Sequence, residues 1–246
     1  MTIRDFFLNV GTFILPRTPA GALKAFEGGF APIEAFIYKS TSSKPIDEQP
    51  YDLDEIERIL SRPNLDFKTN VVLMGIFEKL IHHEDQELAL FGAESINVIE
   101  NRYNTKISSL KKQGTEAASP LQRLSDLGRL YFELALLNNK RQAIKEFYID
   151  QSLHYFQELL RLRTLTGSER NTYIRALMEV RDYKTASELL RGKKAPKTPE
   201  DILLLAEIEY SQKKFDRASE LISHLIRHMD TLNEREMALY AYWMGA

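Results

Sequence analysis

Two strings, DYKTASELL (Asp182–Leu190) and KFDRASELI (Lys214–Ile222), are variants of one pattern repeated 32 residues apart. Tyr183, Ala186 and Leu190 of the first recur as Phe215, Ala218 and Ile222 of the second. An aromatic, a small residue and an aliphatic at spacings of three and four share one face of a helix, and the alanine lets another helix approach closely. That other helix stands just upstream in both cases, as Tyr173 to Val180 and Ile202 to Tyr210, each apolar at helical spacing. The expected fold is all-α, built from helix pairs.

Working outward, this layout matches the tetratricopeptide repeat, an antiparallel helix pair of about 34 residues. Leu124, Leu127, Gly128 and Tyr131 reproduce the first-helix signature of the same repeat, with Ser119 as its cap and Pro120 in its first turn. Its second helix, FYIDQSLHYFQELL from Phe147 to Leu160, is expected to arrive late, after an insertion around Asn138 to Ile144. Asn233 to Met244 reads as an unpaired first helix acting as a cap. Before the break at Gln113–Pro120, a stripe of Phe67, Val71, Met74, Phe77 and Leu80 is followed by a His82–Asp85 turn and a long helix reaching about Lys112. This resembles a HEAT-type helix pair. Residues 1–50 form an apolar N-terminal segment and a polar linker, 51–118 the HEAT-like helices and 119–246 the tetratricopeptide-like repeats. A repeat of this kind buries only part of its apolar surface by itself, so the hairpins are expected to stack as an α-solenoid.

The composition narrows the function. Lys and Arg total 33 against 35 Asp and Glu, so no net charge draws the chain to nucleic acid. The absence of cysteine excludes disulfides, thiolate catalysis and Cys-ligated zinc, and it fits a reducing compartment. The apolar run Phe6–Leu15 is interrupted by Asn9, Gly11 and Thr12 and ended by Pro16, short of the roughly 20 residues that span a bilayer. A soluble cytoplasmic protein without a transmembrane segment is expected, peripheral to a membrane if this segment rests on one.

No pattern for catalysis stands out. His224 and His228 are four apart, but no Glu follows the first of them and no third ligand can be located, so a metal-dependent hydrolase is the weaker alternative. Phosphate-loop and nucleophile-elbow strings are missing. Arg191, Lys193, Lys194 and Lys197 form a basic loop with no interleaved aromatic for base stacking. The expectation is therefore no catalytic, cofactor or metal residue. Binding is expected on the inner face of the first helices, at Arg129, Phe132, Asn171, Arg175, Met178 and Tyr210, where Arg129, Asn171 and Arg175 would suit an acidic side chain. Glu200, Leu203 and Glu207 occupy the last repeat's share of that face. A second alternative is a structural subunit that self-assembles through residues 1–38 or 239–244.

The strings LFGAESINVIENRYNTKI (Leu90–Ile107) and LGRLYFELALLNNKRQAIKEFYIDQSLHYFQELL (Leu127–Leu160) resemble the cytoplasmic part of the Pel exopolysaccharide-biosynthesis protein E family. The resemblance spans roughly residues 53–230 and rests on helix-packing patterns. It implies a helical domain that supports a membrane-bound polysaccharide synthase by contacting other components, and it brings no catalytic residues. The function expected is a non-enzymatic scaffold whose partners are proteins.

Overall fold

The computed structural model describes residues 52–112, 119–191 and 198–232, together with Met237 and Tyr240. Among these residues every regular element is helical. The expected N-terminal segment and linker, most of the basic loop and the C-terminal stretch apart from Met237 and Tyr240 lie outside them. Two compact units divide between Ser109 and Leu110.

The first unit contains α1 (Leu53–Leu60), α2 (Phe67–Leu80) and most of α3 (Gln86–Lys112). The Asp52 carboxylate accepts from Glu55 N at 3.2 Å and Asp66 accepts from Thr69 N at 2.8 Å, so α1 and α2 each begin on an aspartate cap. At the other end of α1 the Arg102 guanidinium donates to the carbonyl of Leu60, one of the orphan acceptors of a helix terminus. Leu73, Met74, Ile76, Phe77 and Leu80 are buried on α2. Along α3 the buried stripe is Ile96, Ile99, Tyr103 and Ile107, while Val98 faces outward. Asn70 Nδ2 donates to the Tyr103 hydroxyl at 3.4 Å, and Phe77 meets Phe91 edge-on at 6.0 Å, joining α2 to α3. They approach closely at Gly92, where a Cβ would stand 2.9 Å from both Leu80 Cβ and the Phe77 carbonyl oxygen.

The second unit holds the end of α3, then α4 (Pro120–Leu137), α5 (Gln142–Leu162), α6 (Gly167–Glu179), α7 (Tyr183–Arg191), α8 (Pro199–Ser211), α9 (Phe215–Ser223) and a 3₁₀ segment, His224–Thr231. The period read from the side chains reappears in the backbone. Thr166 and Thr198 cap α6 and α8 through their hydroxyls, accepting from Glu169 N and Asp201 N. Arg181 and Lys213 both take φ of 62°, and the amides after them, Asp182 N and Lys214 N, both donate over 2.9 Å to Leu177 O and Glu209 O. A left-handed residue closing a helix in this way satisfies carbonyls that the last turn leaves open. Ala186 and Ala218 are fully buried, as close helix approach requires.

The α4–α5 hairpin differs from expectation. No insertion precedes α5, which begins at Gln142 directly after a short turn. The residue four past that turn, where α7 and α9 carry alanine, is Lys145, and its polar character hides the apolar periodicity of the first helical turns. Lys145 is buried; its Nζ lies 2.7 Å from Glu179 Oε2 and donates to Asn139 Oδ1 at 2.7 Å. Gly128 allows a close helix crossing: a Cβ there would meet the Phe156 ring at 2.9 Å, and Ser152 Oγ donates to its carbonyl at 2.8 Å. From Phe156 and Leu159 the apolar core runs through Tyr173, Ile174, Leu177, Ala186 and Leu190 to Leu204, Leu205 and Ile208, so α5, α6, α7 and α8 share one cluster.

Gly92 and Gly75 give a matched test. At Gly92 the obstacle includes backbone, which cannot rotate away, so Gly92→Ala is expected to lower unfolding stability by about 1–3 kcal/mol in a urea titration. Gly75→Ala, with nothing within 4 Å of the added Cβ, is expected to raise it by about 0.5–1 kcal/mol through helix propensity.

Candidate binding surface

The first-helix positions are more internally committed than their sequence suggests. Arg129 is exposed on α4, and its guanidinium donates to Glu133 Oε1 at 2.9 Å, one turn along, with Asp126 Oδ1 at 3.5 Å. Phe132 is buried with Ala135, Ile149 and Ala176, inside the hairpin packing. Asn171 is 7% exposed, and its Oδ1 has no hydrogen-bond partner. Arg175 Nη1 donates to both carboxylate oxygens of Glu207, at 3.1 and 2.8 Å. Met178 packs at the edge of the shared core, and Tyr210 is half-buried with its ring set edge-on to Phe215 at 5.3 Å.

Arg175 and Glu207 stand 32 residues apart, at the same place in successive repeats. A second link, Arg170 to Asp201, runs beside it between α6 and α8. Glu207 and Asp201 are both buried, and buried carboxylates require this pairing because an ion stripped of water and left alone is costly. The arginine expected to receive an outside acid therefore already holds an inside one. Arg163 and Glu169 tie the chain entering α6 to that helix with two parallel contacts of 2.8 and 2.7 Å. Those bonds, chiefly from Arg163, hold the Glu169 carboxyl down at about 2, while burial opposes them.

An open apolar edge lies on α5. Phe147 is 56% exposed and Ile144 38%, one turn apart on α5. Phe147 touches Tyr148 at 5.5 Å, Tyr148 meets Tyr131 at 6.1 Å, and Tyr131 stacks on Tyr155 at 5.6 Å with planes 8° apart. Tyr148 and Tyr155 are seven residues apart, two turns of one helix face, which is how a stripe forms. Lys111, in the last turn of α3, donates to the Tyr131 hydroxyl at 2.9 Å, with its Nζ 5.3 and 5.9 Å from the Tyr131 and Tyr155 ring centres. The bond to Tyr131 raises the Lys111 pKa above the ordinary lysine range, with burial opposing. Reading spacing alone assigns Tyr148 and Tyr155 to the core; both are only half-buried. The signal that could separate them is weak: Ile144, Phe147 and His154, which surround them on the helix, are exposed.

His224 and His228 fall in the 3₁₀ segment. Three residues complete each turn there, so the fourth is rotated away from the first and the α-helical spacing argument for a shared metal no longer applies. Among the described residues no group of three His, Asp or Glu is placed to hold a metal ion. None of the described helices is long and apolar enough to cross a membrane. No protein-family model, curated protein or solved structure matches the chain.

Glu169 sets a pH dependence. Its folded-state pKa of about 2 lies below the ordinary 4.5, so its contribution is complete above that ordinary value and drains away as pH falls from there toward 2. Glu169→Gln is expected to be less stable than wild type in urea at about pH 7 and to converge with it as pH is lowered through that window.

Proposed function

We propose that this chain is a non-enzymatic scaffold that binds other proteins, its helical hairpins stacking as an α-solenoid of HEAT-like and tetratricopeptide-like units. The observation that carries the reading is the aromatic edge at Ile144, Phe147 and Tyr148. Large apolar side chains left open to water in one place mark surfaces that another protein covers, and aromatics dominate such contacts. The inner face of α6 and α8 contributes less, because Arg175 and Arg170 are already paired. The resemblance of Leu90–Ile107 and Leu127–Leu160 to a polysaccharide-synthase accessory family makes components of a membrane-associated exopolysaccharide complex the first partners to test, with the chain on the cytoplasmic face.

A second reading, self-assembly, is favoured by exposed apolar residues near the end of the repeats, Phe215 and Ile226. Light scattering on the full chain separates the two: a monomer mass unchanged by concentration argues against self-assembly.

Phe147→Ser is the direct test of the first reading. Phe147 is exposed, so its replacement should move stability by no more than about 0.5 kcal/mol. Affinity capture from native lysate is expected to retain a stoichiometric partner with the wild type and to lose it with the variant. Equal capture by both proteins, or no partner accompanied by a measurable turnover, contradicts the reading.

A further inference from the structure

Lys111 is held by phenols. Its Nζ donates to a neutral phenol and sits against two tyrosine rings, and among the described residues no carboxylate comes within ion-pair distance of it. Six cations of the second unit are held differently: Arg129, Lys145, Arg163, Arg170, Arg175 and Lys214 each have a carboxylate within 4 Å. Placing an ammonium beside two phenols yields a set of donors. The ammonium gives a proton to the Tyr131 oxygen and also interacts with the Tyr155 hydroxyl, and the two hydroxyls each keep a proton to give. Tyr131 is buried and stacked on Tyr155, so these groups are held in position, while Lys111 itself is open to solvent.

We infer that Lys111, Tyr131 and Tyr155 form a receptor for one carboxylate, presented by an acidic segment of a partner protein that lies along the aromatic edge of α5. This rests on the reading of the chain as a protein-binding scaffold. The choice of carboxylate follows from charge and surroundings. The receptor offers one full positive charge, with Lys112 exposed next in the chain as a weaker attraction for a second acid. A phosphate dianion would leave charge uncompensated beside the rings of Tyr148 and Phe147. A carboxylate matches the charge, and the phenol and ammonium donors suit its two oxygens. A neighbouring apolar side chain of the same segment would cover Phe147.

The test uses the full-length protein and poly-L-glutamate, followed through the ring resonances of Tyr131 and Tyr155 assigned with the Tyr131→Phe and Tyr155→Phe variants. Saturable shifts of both rings are expected with poly-L-glutamate, weakening as salt is raised. Lys111→Met should bind about tenfold more weakly or worse, since a charge-assisted hydrogen bond is lost, and Lys111→Arg should retain more. Circular dichroism of each variant reports whether the fold is intact. The inference is overturned if Lys111→Met binds as well as wild type, if inorganic phosphate shifts the rings and poly-L-glutamate does not, or if neither produces a saturable change. Because this titration needs no natural partner, its failure is distinct from a failure of the lysate capture, which would overturn the scaffold reading.

Discussion

One apolar core is shared by α5, α6, α7 and α8 of the second unit, and the rest is organised around it. A hairpin of two short amphipathic helices cannot enclose its own apolar face. The chain meets this constraint with a core that passes without a break from Phe156 on α5 to Ile208 on α8. Polar contacts follow the same path. Lys145 joins α5 to Glu179 on α6, and Arg170 and Arg175 on α6 reach Asp201 and Glu207 on α8. Such pairs add little net energy over apolar packing, since desolvation offsets attraction, but each allows only one neighbour in one register. Burying α8 from Asp201 through Glu209 requires those partners.

Internal pairing of charges also bears on the proposed binding. Cations that the chain spends on its own carboxylates are poor receptors for an outside acid. The α4–α5 hairpin differs, with its exposed Phe147 and with Lys111 set beside the stacked Tyr131 and Tyr155 rings. A partner held there, as proposed, would leave the ion pairs between α6 and α8 in place.

Much of the helical layout was legible in the sequence because it is local. The Tyr183 and Phe215 strings mark second helices of equal period, Ser119 and Pro120 mark the start of α4, and Gly128 marks a close crossing that the Phe156 ring occupies. What escaped depends on contacts distant in the chain. Lys145 reads as a solvated residue and hides the start of α5, because nothing nearby reveals that Glu179 waits for it 34 residues later. Arg175 reads as a free groove cation for the same reason, its partner Glu207 belonging to the next repeat. Lys111 shows only as a basic residue in the last turn of a helix, a common placement that complements the helix dipole and carries no hint of Tyr131. The all-α class and the spacing of the hairpins came from periodicity; the candidate surface required knowing which charges were already taken.

The claim that the first-helix face is closed by internal pairing is tested most directly by a double-mutant cycle on Arg175 and Glu207. Urea unfolding of Arg175→Met, Glu207→Gln and the double variant should give a coupling of about 1–3 kcal/mol, each single change costing more than the pair together would suggest. A coupling near zero would contradict the account: Arg175 would then be available to an outside carboxylate, and the groove between the first helices would be the better place to look for a partner.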